Sequence, residues 1–358
     1  MKVALVYDRI NKWGGAERVL LALYNIFPNA TLFTSVYDGK KAPWAAVFKK
    51  IKTSFLQNIP LAKKYHEFFP VLMPMAFESF SFDNFDLVIS LTSEAAKGVI
   101  TRPSTRHICI CLTPTRYLWS GYNEYFSNPV IRFFSYPAVW YLRVWDSIAS
   151  RRPDKIIAIS TNVKKRIEKY YSLASIVINP PLMLDGKVQK SAKKVPGNFF
   201  LVVSRLVAYK RVDLAIKACN TLGLNLKIVG SGSEEKRLKS MAGPTIEFVG
   251  QVTDEELFSY YISCKALIFP GREDFGLTMV EAQSFGKPVI AYGAGGALDI
   301  IIKGQTGEFF DSKTPSSLVK VLKNFIPSRY NKENCIRNSE RFSYKEFKKK
   351  LLNFLKTV

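Results

Sequence analysis

The sequence predicts an α/β protein of two facing Rossmann-like domains, each a parallel sheet covered by helices. Short apolar runs of strand length alternate with amphipathic segments of helix length. The alternation occurs twice, before and after the polar, lysine-rich stretch "KVQKSAKKVPG", which reads as a linker. A chain of 358 residues, 47% of them hydrophobic, is long enough for two cores. The expected division is a first domain over 1–180, a linker over 181–198, a second domain over 199–338 and a basic helix over 339–358.

In the first half, residues 2–7 form a buried strand, and "NKWGG" turns into the helix "AERVLLALYNIF". Strands follow at "ATLFTSVYD", "FDLVIS", "RHICICL" and "KIIAIS", then the helix "TNVKKRIEKYY". Near-continuous apolar strands separated by helices belong to a parallel sheet buried on both faces. The pattern restarts with strand "FFLVVS", helix "RVDLAIKACNTL", strand "NLKIVG", helix "EEKRLKSMA" and strand "IEFVG". It continues through helix "DEELFSYYISC", strand "ALIFP", helix "LTMVEAQSFG" and strand "PVIAY". At the end, Phe347, Leu351, Phe354 and Val358 recur at helical spacing, opposite Lys345, Lys348, Lys349, Lys350 and Lys356.

Charge narrows the partners. The chain carries 52 basic and 29 acidic residues. Lys40 to Lys64 holds seven lysines and no acid, interleaved with Trp44, Phe48, Phe55 and Leu56, and runs on into "HEFFPVLMPMAFESF". Basic and aromatic residues mixed in this way suit an anionic membrane surface; a solvated basic face over a local core has the same composition. Neither a zinc finger, an RNP-like aromatic motif nor a basic zipper is present, so no nucleic-acid partner is expected. The five cysteines, Cys109 and Cys111 among them, lack zinc-ligand spacing and read as reduced thiols. The opening apolar run ends at Asp8, too short for a signal peptide. The most apolar region, Phe133 to Ile148, is interrupted by Arg143 and Asp146, so it is not expected to span a membrane. The expectation is a cytoplasmic protein held peripherally on the inner face of the cell membrane.

Three stretches of the second domain fall at the carboxyl ends of predicted strands, where open parallel sheets bind ligands. In "SRLVAYKR", Arg205 and Lys210 straddle a strand-to-helix turn and could grip a diphosphate. In "IVGSGSEEKRL", Gly230 and Gly232 form a tight turn before a helix. In "GREDFGLTMVEAQSFGKPVIA", the loop Gly271–Phe275 leads into a helix near Gly276, whose free amides on residues 275–278 favour an anion. Glu273 in that loop and Glu281 within the helix can accept hydrogen bonds from sugar and ribose hydroxyls. Singly, these residues read as solvated cations, turn glycines and surface acids. Together they match a nucleotide sugar: diphosphate, ribose, hexose.

With these residues in place, the chain resembles the family-4 retaining glycosyltransferases of GT-B type, and within them bacterial mannosyltransferases of surface-polysaccharide assembly. The resemblance is carried by Glu273 and Glu281 in a glutamate-x7-glutamate motif and by "VVSRLVAYKRVDLAI". It extends to "GGAERV" at Gly14–Val19, "FDLVIS…AKGV", "TPTRYLW" and "GKPVIAYGAGGALDII…TGEFF". It implies that Glu281 holds the ribose. Glu273, with the amides of Asp274, Phe275, Gly276 and Leu277, would face the transferred sugar. Arg205 and Lys210 would neutralise the diphosphate, so neither metal nor cofactor is expected, and Gly14 and Gly15 would line the cleft near the leaving phosphate. The last helix would return to the first domain. The implied reaction moves a hexose, preferably mannose from GDP-mannose, to a lipid-linked or polysaccharide acceptor. In the usual scheme for the family, a leaving phosphate oxygen takes the acceptor's proton.

One departure bears on activity. Relatives commonly read His-Thr-Pro where this chain has Leu112-Thr113-Pro114, and Trp119-Ser120 stands in place of a frequent Trp-Asp. His66 and His107 are the two histidines of the chain. His107 lies an odd number of residues from Leu112, on the opposite face of an extended strand, and is expected to be a partly buried polar residue. A UDP-sugar-dependent transferase, a nucleotide-sugar epimerase or hydrolase, and a non-catalytic nucleotide-sugar binder all stay open on the sequence.

Overall fold

Seven strands make the first sheet: β1 (Val3–Tyr7), β2 (Thr31–Thr34), β3 (Ile51–Thr53), β4 (Leu87–Thr92), β5 (Arg106–Cys111), β6 (Lys155–Ala158) and β7 (Ile176–Val177). They lie parallel in the order β3-β2-β1-β4-β5-β6-β7. The computed structural model describes residues 1–65, 69–184 and 195–357. Six further parallel strands make the second sheet: β8 (Phe200–Val203), β9 (Leu226–Val229), β10 (Ile246–Gly250), β11 (Leu267–Phe269), β12 (Val289–Tyr292) and β13 (Gly307–Phe310). Their order is β10-β9-β8-β11-β12-β13. Contacts separate the chain into Met1–Asn179 with Lys348–Val358, and Pro180–Phe347.

Helices connect the strands. In the first unit they are α1 (Gly15–Ile26), α2 (Ala62–Tyr65), α3 (Met73–Glu78), α4 (Tyr122–Tyr125), α5 (Pro129–Ala149) and α6 (Thr161–Tyr171). In the second they are α7 (Val212–Leu222), α8 (Glu235–Ser240), α9 (Asp254–Ser263), α10 (Leu277–Ser284), α11 (Ala297–Ile300), α12 (Pro315–Lys323) and α13 (Lys332–Glu340). The last helix, α14 (Tyr344–Leu355), starts in the second unit, and from Lys348 onward its residues group with the first. Local chemistry sets the boundaries. Ser160 caps α6 by accepting from the Val163 amide at 3.1 Å, and Thr253 and Glu256 close a reciprocal capping box on α9. Asn128 caps α5 ahead of Pro129, a residue suited to the first helical turn.

Each sheet has its own core. Ala4, Val6, Phe33, Phe77, Phe82 and Val88 pack in the first unit, with the Phe33 ring 4.7 Å from that of Phe82. Val202, Leu214, Ile216, Ile228, Ile268 and Ile290 pack in the second. Both strand orders reverse once, between β1 and β4 and between β8 and β11. Loops leaving the carboxyl ends of such a pair run in opposite directions, and a crevice opens there.

Several expectations change. Within the lysine-rich stretch Lys40–Lys64, Phe48 and Leu56 are core residues, so they are not rings and side chains offered to lipid. The stretch supplies the edge strand β3, where Lys52 stands 5.4 Å from the Phe33 ring centroid. His107 is fully buried instead of partly exposed. It sits in mid-sheet with Nε2 2.9 Å from Ser90 Oγ, and burial brings its pKa down to about 3. The apolar region Phe133 to Ile148 lies inside one long helix, α5. His66 and the centre of the expected linker, 185–194, lie outside the described residues. All five cysteines are buried free thiols, and burial pushes Cys109 up to about 12. Among the described residues, no helix is long and apolar enough to cross a membrane.

Candidate functional site

The strand-order break of the second sheet gathers Arg205, Lys210 and Glu273. Arg205 follows β8, and its guanidinium donates to the Tyr209 hydroxyl at 2.7 Å. Lys210 Nζ lies 5.4 Å from the Tyr209 ring centroid and is ion-paired with Glu273 of the β11–α10 loop. Both side chains of that pair are more than four-fifths buried. An aromatic ring thus bridges the two cations, and the second cation reaches across the break to the carboxylate. Next to them the chain enters α10 through Gly276, whose φ of 101° is left-handed and favours glycine. The first amides of α10 have no acceptor inside the helix and carry the positive end of its dipole. Cations and amide donors side by side make a seat for phosphate.

The neighbouring loops explain most of the glycines. A Cβ on Gly230 would collide with the Ser204 carbonyl and one on Gly232 with the Leu206 carbonyl, so the β9 loop rests directly on the β8 loop. Gly295 and Gly296, after β12, sit equally close to the backbone of Glu273 and Phe275, and the Gly296 amide donates to the Glu273 carbonyl at 2.9 Å. The sequence reading missed this pair, although the run "GAGG" after a strand was the signal for it. Asp274 and Phe275 are buried, and the Phe275 ring packs edge-on to Phe342 at 5.5 Å. Leu277 opens α10 half-buried. Glu281 lies further along α10, buried, and accepts from the Tyr261 hydroxyl at 2.8 Å. It is therefore tied to α9. Tyr209 and Tyr261 are both partners that no sequence motif indicated.

In the first unit the corresponding break is filled from within. Asp8, at the end of β1, is buried and accepts from four successive backbone amides after β4: Ser93 at 2.7 Å, Glu94 at 3.1 Å, Ala95 at 3.0 Å and Ala96 at 2.9 Å. The Thr92 hydroxyl adds a fifth bond at 2.8 Å. Burial and the nearby Glu94 raise the Asp8 pKa, while Arg9 and the amides oppose them. Gly14 precedes α1 and Gly15 begins it. Beside them Glu17 is buried and accepts from the Tyr7 hydroxyl at 2.5 Å. Leu112 follows β5, half-buried, with its amide bonded to the Thr92 carbonyl at 2.8 Å.

The "TPTRYLW" stretch has a structural task in this unit. Thr115 Oγ1 and Trp119 Nε1 donate to the buried Asp146 of α5 at 2.9 and 2.7 Å, joined by the Tyr171 hydroxyl at 2.8 Å and Lys97 Nζ at 2.5 Å. Burial works against the Lys97 charge, but Asp146 beside it raises the pKa above the usual lysine value. A buried ion pair with its remaining valences filled fixes the C-terminal end of α5 in the body of the unit.

Residues 185–342 match the protein family described as glycosyl transferases group 1. An uncharacterized glycosyltransferase of Methanocaldococcus jannaschii is 29% identical over 210 residues, 57% of this chain and 58% of its own length. A GDP-mannose-dependent alpha-mannosyltransferase of Corynebacterium glutamicum is 36% identical over 121 residues, 34% of this chain and 28% of its own length. The chain thus spans less than two thirds of either relative. The crystal structure of Anabaena HepE in complex with UDP-glucose superposes over 100% of both chains, with a TM-score of 0.72 and 19% identity. The fold is GT-B. The family match and the relatives' names support a glycosyltransferase, and the matched residues cover the second unit almost entirely.

Proposed function

We propose that this chain is a retaining glycosyltransferase that moves a hexose, mannose from GDP-mannose, to a lipid-linked or polysaccharide acceptor. The work would take place at the cytoplasmic face of the membrane, in cell-surface glycan synthesis. The observation that carries the reading is the meeting of Arg205, Lys210 and Glu273 beside the start of α10 at the strand-order break. The two cations and the α10 amides take the diphosphate, and Glu273 leaves Lys210 to accept from the hexose hydroxyls. Glu281 reads the ribose, and the glycine turns at Gly230–Gly232 and Gly14–Gly15 let the donor lie close to the backbone. As the bond from the anomeric carbon to phosphate breaks, negative charge grows on the leaving diphosphate, where fixed cations and amides stabilise it most. The new bond forms to the acceptor oxygen, and the acceptor's proton passes to the leaving phosphate. No metal is needed in this scheme, because the side-chain cations carry the neutralising charge.

The mannosyl donor is favoured by the identity with the Corynebacterium GDP-mannose-dependent enzyme, which falls within a third of this chain. A UDP-sugar donor is the second reading, favoured by the full-length likeness to a structure holding UDP-glucose. The test is nucleotide release from GDP-, UDP- and ADP-sugars, with and without polyprenyl-diphosphate glycans. GDP release that rises with the acceptor is expected, and release from UDP-sugars alone selects the second reading. Arg205→Ala and Lys210→Ala should each lower turnover roughly 100- to 1000-fold in a protein that still folds. Near-wild-type turnover in both removes the diphosphate assignment.

A further inference from the structure

Helix α5 has two unlike halves. The inner half packs Val139, Leu142, Asp146 and Ala149 against the unit, with Asp146 locked by Lys97 and its three other donors. The outer half, from Pro129 to Pro137, buries no residue at all. Pro137 divides the two, since its missing N–H breaks the helical hydrogen-bond ladder. The outer half is nevertheless apolar: Phe133 is 75% exposed, Phe134 77%, Val130 63%, Ile131 55% and Tyr136 59%; just past Pro137, Trp140 is 61% exposed. Single exposed apolar residues are ordinary, but a contiguous run of large ones marks an interaction surface.

Charge selects the occupant. The charged residues of α5 are Arg132, Arg143 and Asp146, and the aspartate is spent inside on Lys97. What α5 offers outward is therefore cationic; the exposed acids flanking it in sequence, among the described residues, are Glu124 on the preceding short α4 and Asp154 beyond its far end. Arg143 lies over the Tyr122 ring at 4.5 Å, and the exposed Arg132 is 5.8 Å from the same ring. A second copy of the chain would bring two cationic faces together, which opposes association. An anionic bilayer complements both features. Phe side chains enter the acyl boundary, Trp and Tyr rings suit the headgroup depth, and arginines meet lipid phosphates. The adjoining segment points the same way in composition. Glu78 of α3 ties it to α5 by accepting from Trp145 Nε1 at 2.6 Å, and Val71 and Met75 there are exposed.

We propose that the outer half of α5, led by Phe133 and Phe134, seats this protein on an anionic lipid surface. The inference deepens the reading of a transferase with a lipid-linked acceptor, and rests on it only for the reason a membrane is visited. It also moves the membrane contact away from Lys40–Lys64, where the structure buries Phe48 and Leu56.

The test is co-sedimentation of the full chain with vesicles of phosphatidylethanolamine and phosphatidylglycerol, and with neutral phosphatidylcholine vesicles. The wild type should pellet with the anionic vesicles and poorly with the neutral ones. The double variant Phe133→Ser/Phe134→Ser should partition about 10- to 100-fold less, given the transfer free energy of two phenyl groups. Its thermal melt should be unchanged, because both rings are exposed. Lys49→Gln/Lys50→Gln, in the lysine-rich stretch, should change partitioning less than about threefold. The proposal is overturned by a wild type that stays in the supernatant, or by a serine variant that pellets like the wild type. It is equally overturned by sedimentation velocity showing a dimer that the serine variant dissociates. Donor turnover without lipid, measured on the same proteins, keeps the two readings apart. If the wild type binds vesicles but releases nucleotide from no sugar donor, the transferase reading fails and the docking surface stands.

Discussion

The two sheets share one topology and treat its crevice in opposite ways. In the first unit, the break between β1 and β4 is closed by the chain's own anion: Asp8 takes a hydroxyl from the last residue of β4 and four amides from the residues after it. In the second, the break between β8 and β11 is bordered by cations, Arg205 and Lys210, and by the start of a helix, with Glu273 paired to Lys210 at its edge. The same backbone geometry that attracts an anion is thus filled by the chain's own carboxylate in the first unit and bordered by cations and helix amides in the second. The lesson is that a strand-order break locates a seat for negative charge, while the residues at the strand ends decide whether the protein or a substrate supplies that charge.

Breaking the internal anion should have the larger cost. Asp8→Ala orphans buried amides and should lose about 3 kcal/mol or more of stability, read as the shift in denaturant midpoint. Nucleotide affinity per folded molecule should stay at the wild-type level, since the second unit has its own core. A variant that melts normally but no longer binds nucleotide would mean that Asp8 belongs to the ligand site. Gly296→Ala attacks the other crevice: the new Cβ would collide with the backbone of Phe275, so the β11–α10 loop must move. We expect a loss of about 2 kcal/mol in stability or in nucleotide binding, with calorimetric titration showing which. Wild-type values for both would mean the loops are looser than their close approach implies.

Much of this was legible in advance, for reasons tied to particular residues. Fully buried parallel strands such as "VALVY" and "LVIS" announce themselves by apolar content, and the strand ends then place Arg205, Lys210 and Glu273 at one edge. Strand β3 was missed because three residues, one of them a lysine, carry no period. The Asp8 seat was missed because its partners are backbone amides, which a sequence does not display. The lysine-rich stretch is ambiguous in sequence because buried Phe48 and Leu56 and exposed Phe55 all alternate with lysines, a pattern shared by a lipid face and a small core. Asp146 misled in the opposite direction. It reads as the charge that spoils an apolar run, whereas it is the buried anchor of the inner half of α5, whose outer half stays exposed.

The closed interior of the first unit should also be visible in pH dependence. His107 is buried between Ser90, whose hydroxyl lies 2.9 Å from Nε2, and a loop where Asp154 accepts from its amide at 2.7 Å. Burial first, and then the Arg152 charge, lower its pKa from 6.5 to about 3. Between those values the unfolded chain binds a proton that the folded one does not, so stability falls as pH falls, by about 1.4 kcal/mol per unit. Comparing urea midpoints at about pH 7 and about pH 5, the wild type should lose about 2 kcal/mol more than His107→Asn. Equal losses would place a charged or hydrated imidazole in the folded sheet and reopen the first unit as a polar cavity.

The smallest effect sharpens the comparison most. Gly14 precedes the helix that follows β1 as Gly296 precedes the helix that follows β12, yet the two glycines answer to different constraints. The φ of Gly14 is 178°, extended backbone open to any residue, and an added Cβ would approach only Glu17 Oε2, at 3.1 Å. Gly14→Ala should therefore cost less than about 1 kcal/mol, because among the described residues the added Cβ meets one carboxylate oxygen that needs to yield a few tenths of an ångström. That mildness makes it informative. If turnover falls tenfold or more while the melt is unchanged, the missing Cβ at position 14 serves a ligand, and the first unit contributes backbone to the donor despite closing its own crevice. If turnover and melt both stay near wild type, Gly14 and Gly15 drop out of the donor site, and binding rests on the second unit alone.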